Sequence, residues 1–347
     1  MKNKIYFLFA FALLFQVSNS FAQGCDGEDL DTQNDSINAP NIKIFGYLQT
    51  QYNSTFNDLN ENTITFKRAR IGFRGKLKGD FSYYFMLETS PFIGGVGSAY
   101  LMDAFITYSY SKSMKISVGS FKQPFGLEVN TACNTLTTID RSIVSDQLIA
   151  PQRDFGVAVL GGNKFTKFRY SVALMNGRGL NAVDNNSKKD IIGRATYKLT
   201  DFMTVGGSFR HGYPNNNVDT RSTYGAEMLL KFNNLKIQTE YIYDEGDYNR
   251  AAGGGCGSDP VELGEKRDGG YIMISYDTKW KVQPVFKYEY FDPNIDVVKI
   301  GYQEMMTLGA NYFINESVRI QLNYQSHIET YINQDNNMLL AQLQIKF

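Results

Sequence analysis

From residue 41 to its last residue the chain alternates apolar and polar side chains in short segments, sixteen times over. The segments run 42–52, 64–77, 80–88, 100–110, 114–122, 153–162, 165–176, 190–199, 202–211, 222–232, 235–244, 269–277, 280–290, 303–313, 317–328 and 338–347. A period of two is that of a β-strand, whose successive side chains point to opposite faces; a helix, with a period near 3.6, would mix the two sets. The connections constrain the fold further. Every second one is a tight turn: Lys78-Gly79, Ser111-Lys112-Ser113, Asn163-Lys164, Thr200-Asp201, Asn233-Asn234, Asp277-Thr278-Lys279 and Asn315-Glu316. The others (53–63, 89–99, 123–152, 177–189, 212–221, 245–268, 291–302 and 329–337) are longer and hold most of the Gly-rich and Asn-rich sequence. A soluble sandwich has no reason to sort its loops by parity, and a solenoid would show a fixed repeat. Short turns at one end and long loops at the other are the asymmetry of an outer-membrane barrel.

The two faces differ in chemistry. Residues 66–78 place Ala69, Ile71, Phe73, Gly75 and Leu77 on one side and Arg68, Arg70, Gly72, Arg74 and Lys76 on the other. Taken alone, this segment fits a half-buried strand of a soluble sheet. Later segments point to lipid. Phe168, Tyr170, Val172 and Leu174 share a face, as do Trp280, Val282, Pro284, Phe286, Tyr288 and Tyr290. Aromatics near strand ends suit the two bilayer interfaces. The last segment alternates Leu339, Ala341, Leu343, Ile345 and Phe347 with Leu340, Gln342, Gln344 and Lys346, and ends on an aromatic. That ending is similar to the signal read by the bacterial barrel-assembly machinery. In hydrocarbon no backbone polar group can stay unpaired, so 338–347 should close onto 42–52. Sixteen strands then enclose a water-filled lumen.

The first 22 residues read as a secretory signal. Lys2 and Lys4 precede an apolar run from Ile5 to Val17, too short to span a bilayer, and Ser20-Phe21-Ala22 is a small-x-small cleavage site. Cys25 offers a lipoprotein site as the rival, but Ala22-Gln23-Gly24 lacks the usual Leu before it. Residues 23–40 carry five acidic and no basic residues and read as a polar leader, leaving 41–347 for the barrel. Removing Lys2 and Lys4 from 35 basic residues, against 35 acidic, leaves a net charge of −2. Mean hydropathy is −0.31, which excludes a helical membrane protein. Near-neutral charge gives no bulk attraction for nucleic acid. Cys25, Cys133 and Cys256 make neither a disulfide framework nor a metal spacing, although Cys133 and Cys256 could pair.

If the apolar face looks to lipid, the other face lines the pore. It carries Lys43, Arg68, Arg70, Arg74, Lys76, Lys115, Arg169, Arg194, Lys198, Lys231, Lys236, Lys281, Lys287, Arg319 and Lys346, against Glu88, Asp103, Glu227, Glu240, Asp244 and Glu289. A basic wall in a narrow pore concentrates anions, and Arg offers a fork of donors matched to phosphate or carboxylate oxygens. The alternative is that these charges pair with Glu or Asp and only stiffen the wall. The long segment 121–154 is the other candidate for control. Pro124 and Gly126 break the strand, and a loop of this length either folds into the lumen and narrows it or lies on the outer surface.

Several motifs resemble the phosphate-selective porin O/P family of outer-membrane proteins, in the versions common in Bacteroidetes. They are Phe66-Lys67-Arg68-Ala69-Arg70-Ile71-Gly72-Phe73 with Gly75-Lys76-Leu77, and Leu101-Met102-Asp103-Ala104-Phe105-Ile106. Next come Val118-Gly119-Ser120-Phe121-Lys122-Gln123-Pro124-Phe125-Gly126-Leu127-Glu128, Asp140-Arg141-Ser142, Pro151-Gln152-Arg153-Asp154-Phe155-Gly156-Val157 and Asn176-Gly177. The resemblance covers residues 41 to about 200; beyond that only the strand rhythm and Phe347 match. It implies a sixteen-stranded, homotrimeric porin with an inward-folding constriction loop and arginine-lined walls, set in lipid and lipopolysaccharide and passing small anions such as phosphate or polyphosphate. Lys122 looks like the lysine entering the loop, and Arg68 and Arg70 like wall arginines. Asp140 stands where many relatives have Glu. Arg74, Lys76, Arg141, Arg153, Arg169 and Arg194 complete the candidate anion-contacting set.

An enzyme would need a nucleophile or an acid–base pair at the rim. The two histidines, His211 and His327, lie far apart, and no Gly-x-Ser-x-Gly occurs. The run Ala251 to Gly257 lacks the Gly-Lys-Ser/Thr of a phosphate-binding loop. Neither catalysis nor a cofactor is expected. A barrel with a plugged lumen and a structural or adhesive role is the remaining alternative.

Overall fold

The computed structural model describes residues 42–347 except 57–60, 96, 112, 164, 181, 249–261, 299–300 and 329–335. The signal and leader expected at 1–22 and 23–40, Cys25, and the Cys133–Cys256 pairing through Cys256 fall outside the described residues. Sixteen antiparallel strands form a closed barrel in which each strand pairs with its sequence neighbours and the last returns to the first. They are β1 (Ile42–Thr55), β2 (Asn62–Lys76), β3 (Phe81–Glu88), β4 (Tyr100–Ser111), β5 (Met114–Lys122), β6 (Arg153–Gly161), β7 (Phe168–Met175) and β8 (Asp190–Lys198). The second half comprises β9 (Met203–Gly212), β10 (Arg221–Phe232), β11 (Leu235–Gly246), β12 (Lys266–Tyr276), β13 (Val282–Asp292), β14 (Gln303–Phe313), β15 (Val318–Ile328) and β16 (Met338–Lys346).

The alternation maps onto the two faces. In β1, Ile42, Ile44 and Leu48 are exposed outward while Tyr47, Gln49 and Gln51 are buried inward. In β15 the exposed Ile320, Leu322 and Tyr324 alternate with buried Arg319, Gln321, Asn323 and Gln325. This inversion, apolar residues exposed and polar ones buried, is expected when the outer solvent is lipid. Near the loop-side ends Tyr241 and Tyr290 donate to Asp268, and Tyr288 and Tyr302 donate to Glu304, as in an aromatic girdle. The seam is closed by β1–β16 pairing from Tyr47↔Lys346 to Thr55↔Met338. Gly46 and Phe347 exchange both backbone bonds, each at 3.0 Å.

The structure corrects the sequence reading at several strand ends. β7 begins at Phe168 rather than 165, β12 at Lys266 rather than 269, and β13 runs Val282–Asp292 rather than 280–290. Three irregularities break the alternation among the described residues, one of them between Tyr108 and Ser111 of β4 beside its turn. Gln49 pairs with Arg68 but Thr50 with Phe66, so Lys67 is an extra residue in β2. Met86 pairs with Asp103 but Leu87 with Leu101, so Met102 is extra in β4. A bulge puts two neighbouring side chains on one side of the sheet. The exposed positions in β2 accordingly switch from even (Ile64, Phe66) to odd (Ile71, Phe73) across it.

The lumen is not simply water-filled as the strand number suggests. An apolar cluster lies inside the barrel, where Tyr84, Met86, Met102, Phe105, Phe121, Ala158, Met175, Ile192 and Ile242 of the wall meet Phe125, Val129, Val144, Leu148 and Ile149. The second group belongs to the segment between β5 and β6, which therefore packs inward.

Candidate constriction and pore lining

The segment between β5 and β6 contains α1 (Leu127–Asn130), a 3-10 turn at Cys133–Thr135 and α2 (Ile143–Leu148). A loop of this kind has few internal backbone partners, so its buried N–H and C=O groups must be satisfied from elsewhere. The wall supplies them. Glu240 accepts from the N–H groups of Leu127 and Glu128, both at 3.1 Å. Glu289 accepts from Ile143 N at 2.7 Å, Asn323 from Ile139 N at 2.8 Å and Ser208 from Gly126 N at 3.0 Å. The carbonyls are met by amides and cations. Gln49 donates to Cys133 O, Gln344 to Asn134 O, Asn311 to Thr137 O and Arg319 to Leu136 O. Arg210 and Arg221 both donate to Ala150 O, at 3.1 and 2.7 Å, and Arg221 also donates to Leu148 O. The loop thus reaches strands on opposite sides of the barrel, and it folds inward.

Within the loop, Arg141 donates to the carbonyls of Glu128, Val129 and Thr131. Lys122 donates to Val129 O and Thr131 O at 2.9 and 3.2 Å. Cys133 is buried, with Arg70 Nη1 and Arg141 Nη1 at 3.3 and 3.5 Å from its Sγ. Gly126 adopts φ +69°, a conformation that favours glycine, where the chain turns beside Glu240.

The central basic residues of the wall are engaged. Arg70 pairs with Glu88 at 2.6 Å and donates to Tyr47 Oη. Arg153 pairs with Asp103 at 2.9 Å, Arg194 with Glu227 at 2.5 Å and Lys287 with Glu289 at 2.7 Å. Arg68 donates to Gln49 Oε1 at 2.7 Å. Missing from the sequence-based set are Arg210, paired with Asp190 at 3.0 Å, and Arg221 and Arg267, which share Asp244. Arg221 and Arg267 stand at the first and second positions of their strands, inside stretches that the sequence pattern assigns to loops; an Arg beside a strand start is the available signal.

The other inward basic residues are placed differently. Lys43, Arg74, Lys76, Lys115, Arg169, Lys198, Lys231, Lys236, Lys281, Arg319 and Lys346 all lie within three residues of a turn-side strand end. Lys76, Lys231 and Lys281 are exposed, and Lys43, Arg74, Lys115, Arg169, Lys198 and Lys236 are half-buried. The wall carboxylates Glu88, Asp103, Asp190, Glu227, Glu240, Asp244 and Glu289 stand mid-strand or at the loop side. The turn-side wall is therefore richer in basic groups, although Asp201 pairs with Lys198 there at 2.9 Å, whereas the mid-wall carboxylates stand beside arginines and Lys287. Since short turns face the periplasm, the basic end is the periplasmic mouth.

One charged contact at the constriction is open. Lys67, turned inward by its bulge, reaches Asp140 of the loop at 3.0 Å, with side-chain exposures of 20% and 27%. Burial raises the Asp140 carboxyl, but Lys67 beside it, with Arg68 and Lys287, brings it below its ordinary range.

A family model described as "Phosphate-selective porin O and P" matches residues 45–211 and 207–347. No curated protein matches the chain. Among solved structures, an anion-selective porin from Comamonas acidovorans superposes with TM-score 0.64 at 11% identity, covering 89% of this chain and 100% of its own. OmpF of Salmonella typhi, in complex with daunomycin, gives TM-score 0.67 at 11% identity over 88% and 97%. In-vitro folded OmpT of Vibrio cholerae, described as a trimer form, gives 0.60 at 12% identity over 89% and 100%. These likenesses establish the fold.

Proposed function

The chain belongs to the phosphate-selective porin O and P family, outer-membrane β-barrel channels rather than enzymes, and on that premise we propose that it forms a narrow, anion-selective diffusion channel. The permeants are small anions, phosphate among them, with polyphosphate as a longer solute of the same chemistry. The basic periplasmic mouth carries this reading. Apart from the buried Arg319, its inward Lys and Arg side chains retain exposure, and the mid-wall carboxylates stand away from it, with Asp201 pairing to Lys198 at the rim. In a low-dielectric channel such a mouth draws anions through and opposes cations. The central arginines serve first as scaffolding for the loop. A homotrimer embedded in lipid and lipopolysaccharide, delivered by the barrel-assembly machinery, completes the proposal; one structural neighbour is itself described as a trimer.

The test is the zero-current potential of purified protein in a planar bilayer under a potassium chloride gradient. Anion preference is expected, with current reduced by added phosphate. Replacing Lys76, Lys115, Lys198 and Lys231 by Gln should cut the chloride-to-potassium permeability ratio about threefold. Cation preference in the unaltered protein would sink the reading. Anion preference without phosphate block would remove phosphate alone. The extent of loop–wall bonding favours one second reading, a plugged structural barrel, and folded protein without conductance would select it.

A further inference from the structure

Lys67 is inward because β2 carries one residue too many there. Gln49 faces Arg68 and Thr50 faces Phe66, so Lys67 and Arg68 both turn to the lumen. Across from Lys67, Asp140 is fixed by its neighbours. Ile139 N donates to Asn323, the Arg141 side chain is buried among loop carbonyls, and Thr138 Oγ1 donates to Asp140 O at 2.8 Å. The carboxylate is therefore held in place rather than swinging on a mobile loop.

Its pair differs from the others in the central wall. Arg70–Glu88, Arg153–Asp103, Arg221–Asp244 and Lys287–Glu289 have side chains no more than 7% exposed, and Arg194–Glu227 is sealed on its carboxylate side. Lys67 and Asp140 are both partly open, at 20% and 27%. Solvent at the constriction therefore reaches both side chains, while the Asp140 Oδ1 that meets Lys67 is itself covered. We propose that Lys67 and Asp140 set the charge selectivity of the constriction, with Asp140 moderating the attraction of anions by the Lys67 and Arg68 side of the wall. This rests on the channel reading above but not on its anion preference.

The experiment is the zero-current potential of Asp140→Asn and Lys67→Met in planar bilayers, with Asp140→Glu as the charge-retaining control and heat-shifted gel mobility as the check of folding. Two charges about 4 Å apart in a watery setting interact by about 1 kcal/mol, a roughly fivefold factor that mobile ions dilute. Asp140→Asn is expected to raise the chloride-to-potassium permeability ratio about threefold, Lys67→Met to lower it about threefold, and Asp140→Glu to keep it. If Asp140→Asn does not fold, Lys67→Met carries the test alone. A conducting variant with an unchanged ratio, or a shift of opposite sign, overturns the proposal, as does a folded protein without conductance. Unaltered protein without anion preference, but with the expected shifts in both variants, leaves this proposal standing and removes the anion reading instead.

Discussion

Asp244 anchors the end of the constriction loop without touching it. It accepts from Arg221 Nε at 2.8 Å, Arg267 Nε at 2.5 Å and Thr223 Oγ1 at 2.5 Å, and Arg221 in turn holds the carbonyls of Leu148 and Ala150. Both guanidiniums are buried, so removing the shared carboxylate leaves two charges uncompensated. Breaking a buried pair in this way costs about 3–5 kcal/mol. Asp244→Ala should accordingly lower the urea midpoint of barrel refolded into vesicles and broaden its single-channel current levels, because the loop loses its clamp. Asp140 behaves differently because its carboxyl is held below the ordinary range, burial being outweighed by Lys67. A group whose folded value is depressed contributes stability that is complete above its unfolded value, near pH ~3.9, and is lost as pH falls through the lower folded value. The selectivity contribution of Asp140 should therefore stay flat between pH 7 and pH 5. It should give way only in strongly acidic solution, where zero-current potentials move toward anions. A shift already complete at pH 5 would contradict the strength of the Lys67 pairing.

At the scale of elements, the loop is the part that needed three-dimensional information. The strands were legible because lipid outside and polar groups inside impose a period of two, and loop parity fixed the architecture. Inward folding of 123–152 was legible as an option and through the family motifs, but its partners were not. Glu240, Glu289, Asn323 and Arg319 come from strands far along the chain, and nothing local in the sequence pairs them with loop N–H and C=O groups. The bulge at Lys67 was invisible for a different reason. A single inserted residue preserves the local pattern on each side and changes only the phase between them, so the alternation alone keeps Lys67 off the lumen side. Arg68, Arg70, Arg194 and Lys287 lie on the inner side of the wall, and their engagement with Gln49, Glu88, Glu227 and Glu289 emerges only from the closed barrel. Gly126 offers a test of how the loop is seated. Its φ of +69° is strained for any side chain, and an added Cβ would land on Glu240 Oε1, the acceptor for Leu127 N. Gly126→Val should displace α1 from the wall and raise single-channel conductance while the gel mobility of the folded barrel is retained.

For the whole molecule, stability in a bilayer depends on closure, since an open edge would expose unpaired N–H and C=O groups to hydrocarbon. The seam is secured at its periplasmic end by the reciprocal bonds between Gly46 and Phe347, and the Phe347 ring lies over Gly46 where a larger side chain would collide with it. Phe347 therefore has a structural duty as well as the proposed role in targeting, and the two can be separated. Deleting Phe347 removes two backbone bonds, each contributing about 0.5–1.5 kcal/mol net. The refolded barrel in vesicles, where no assembly machinery acts, should lose a corresponding part of its urea resistance yet still close. Phe347→Ala keeps the backbone bonds and removes only the ring, so its refolded stability should fall less. In cells, the targeting role predicts that both changes reduce the heat-modifiable barrel recovered from the outer membrane to a similar and larger extent than their stabilities account for. If recovery instead follows refolded stability, Phe347 closes the seam and signals nothing, and the assembly of this barrel is set by its strands alone.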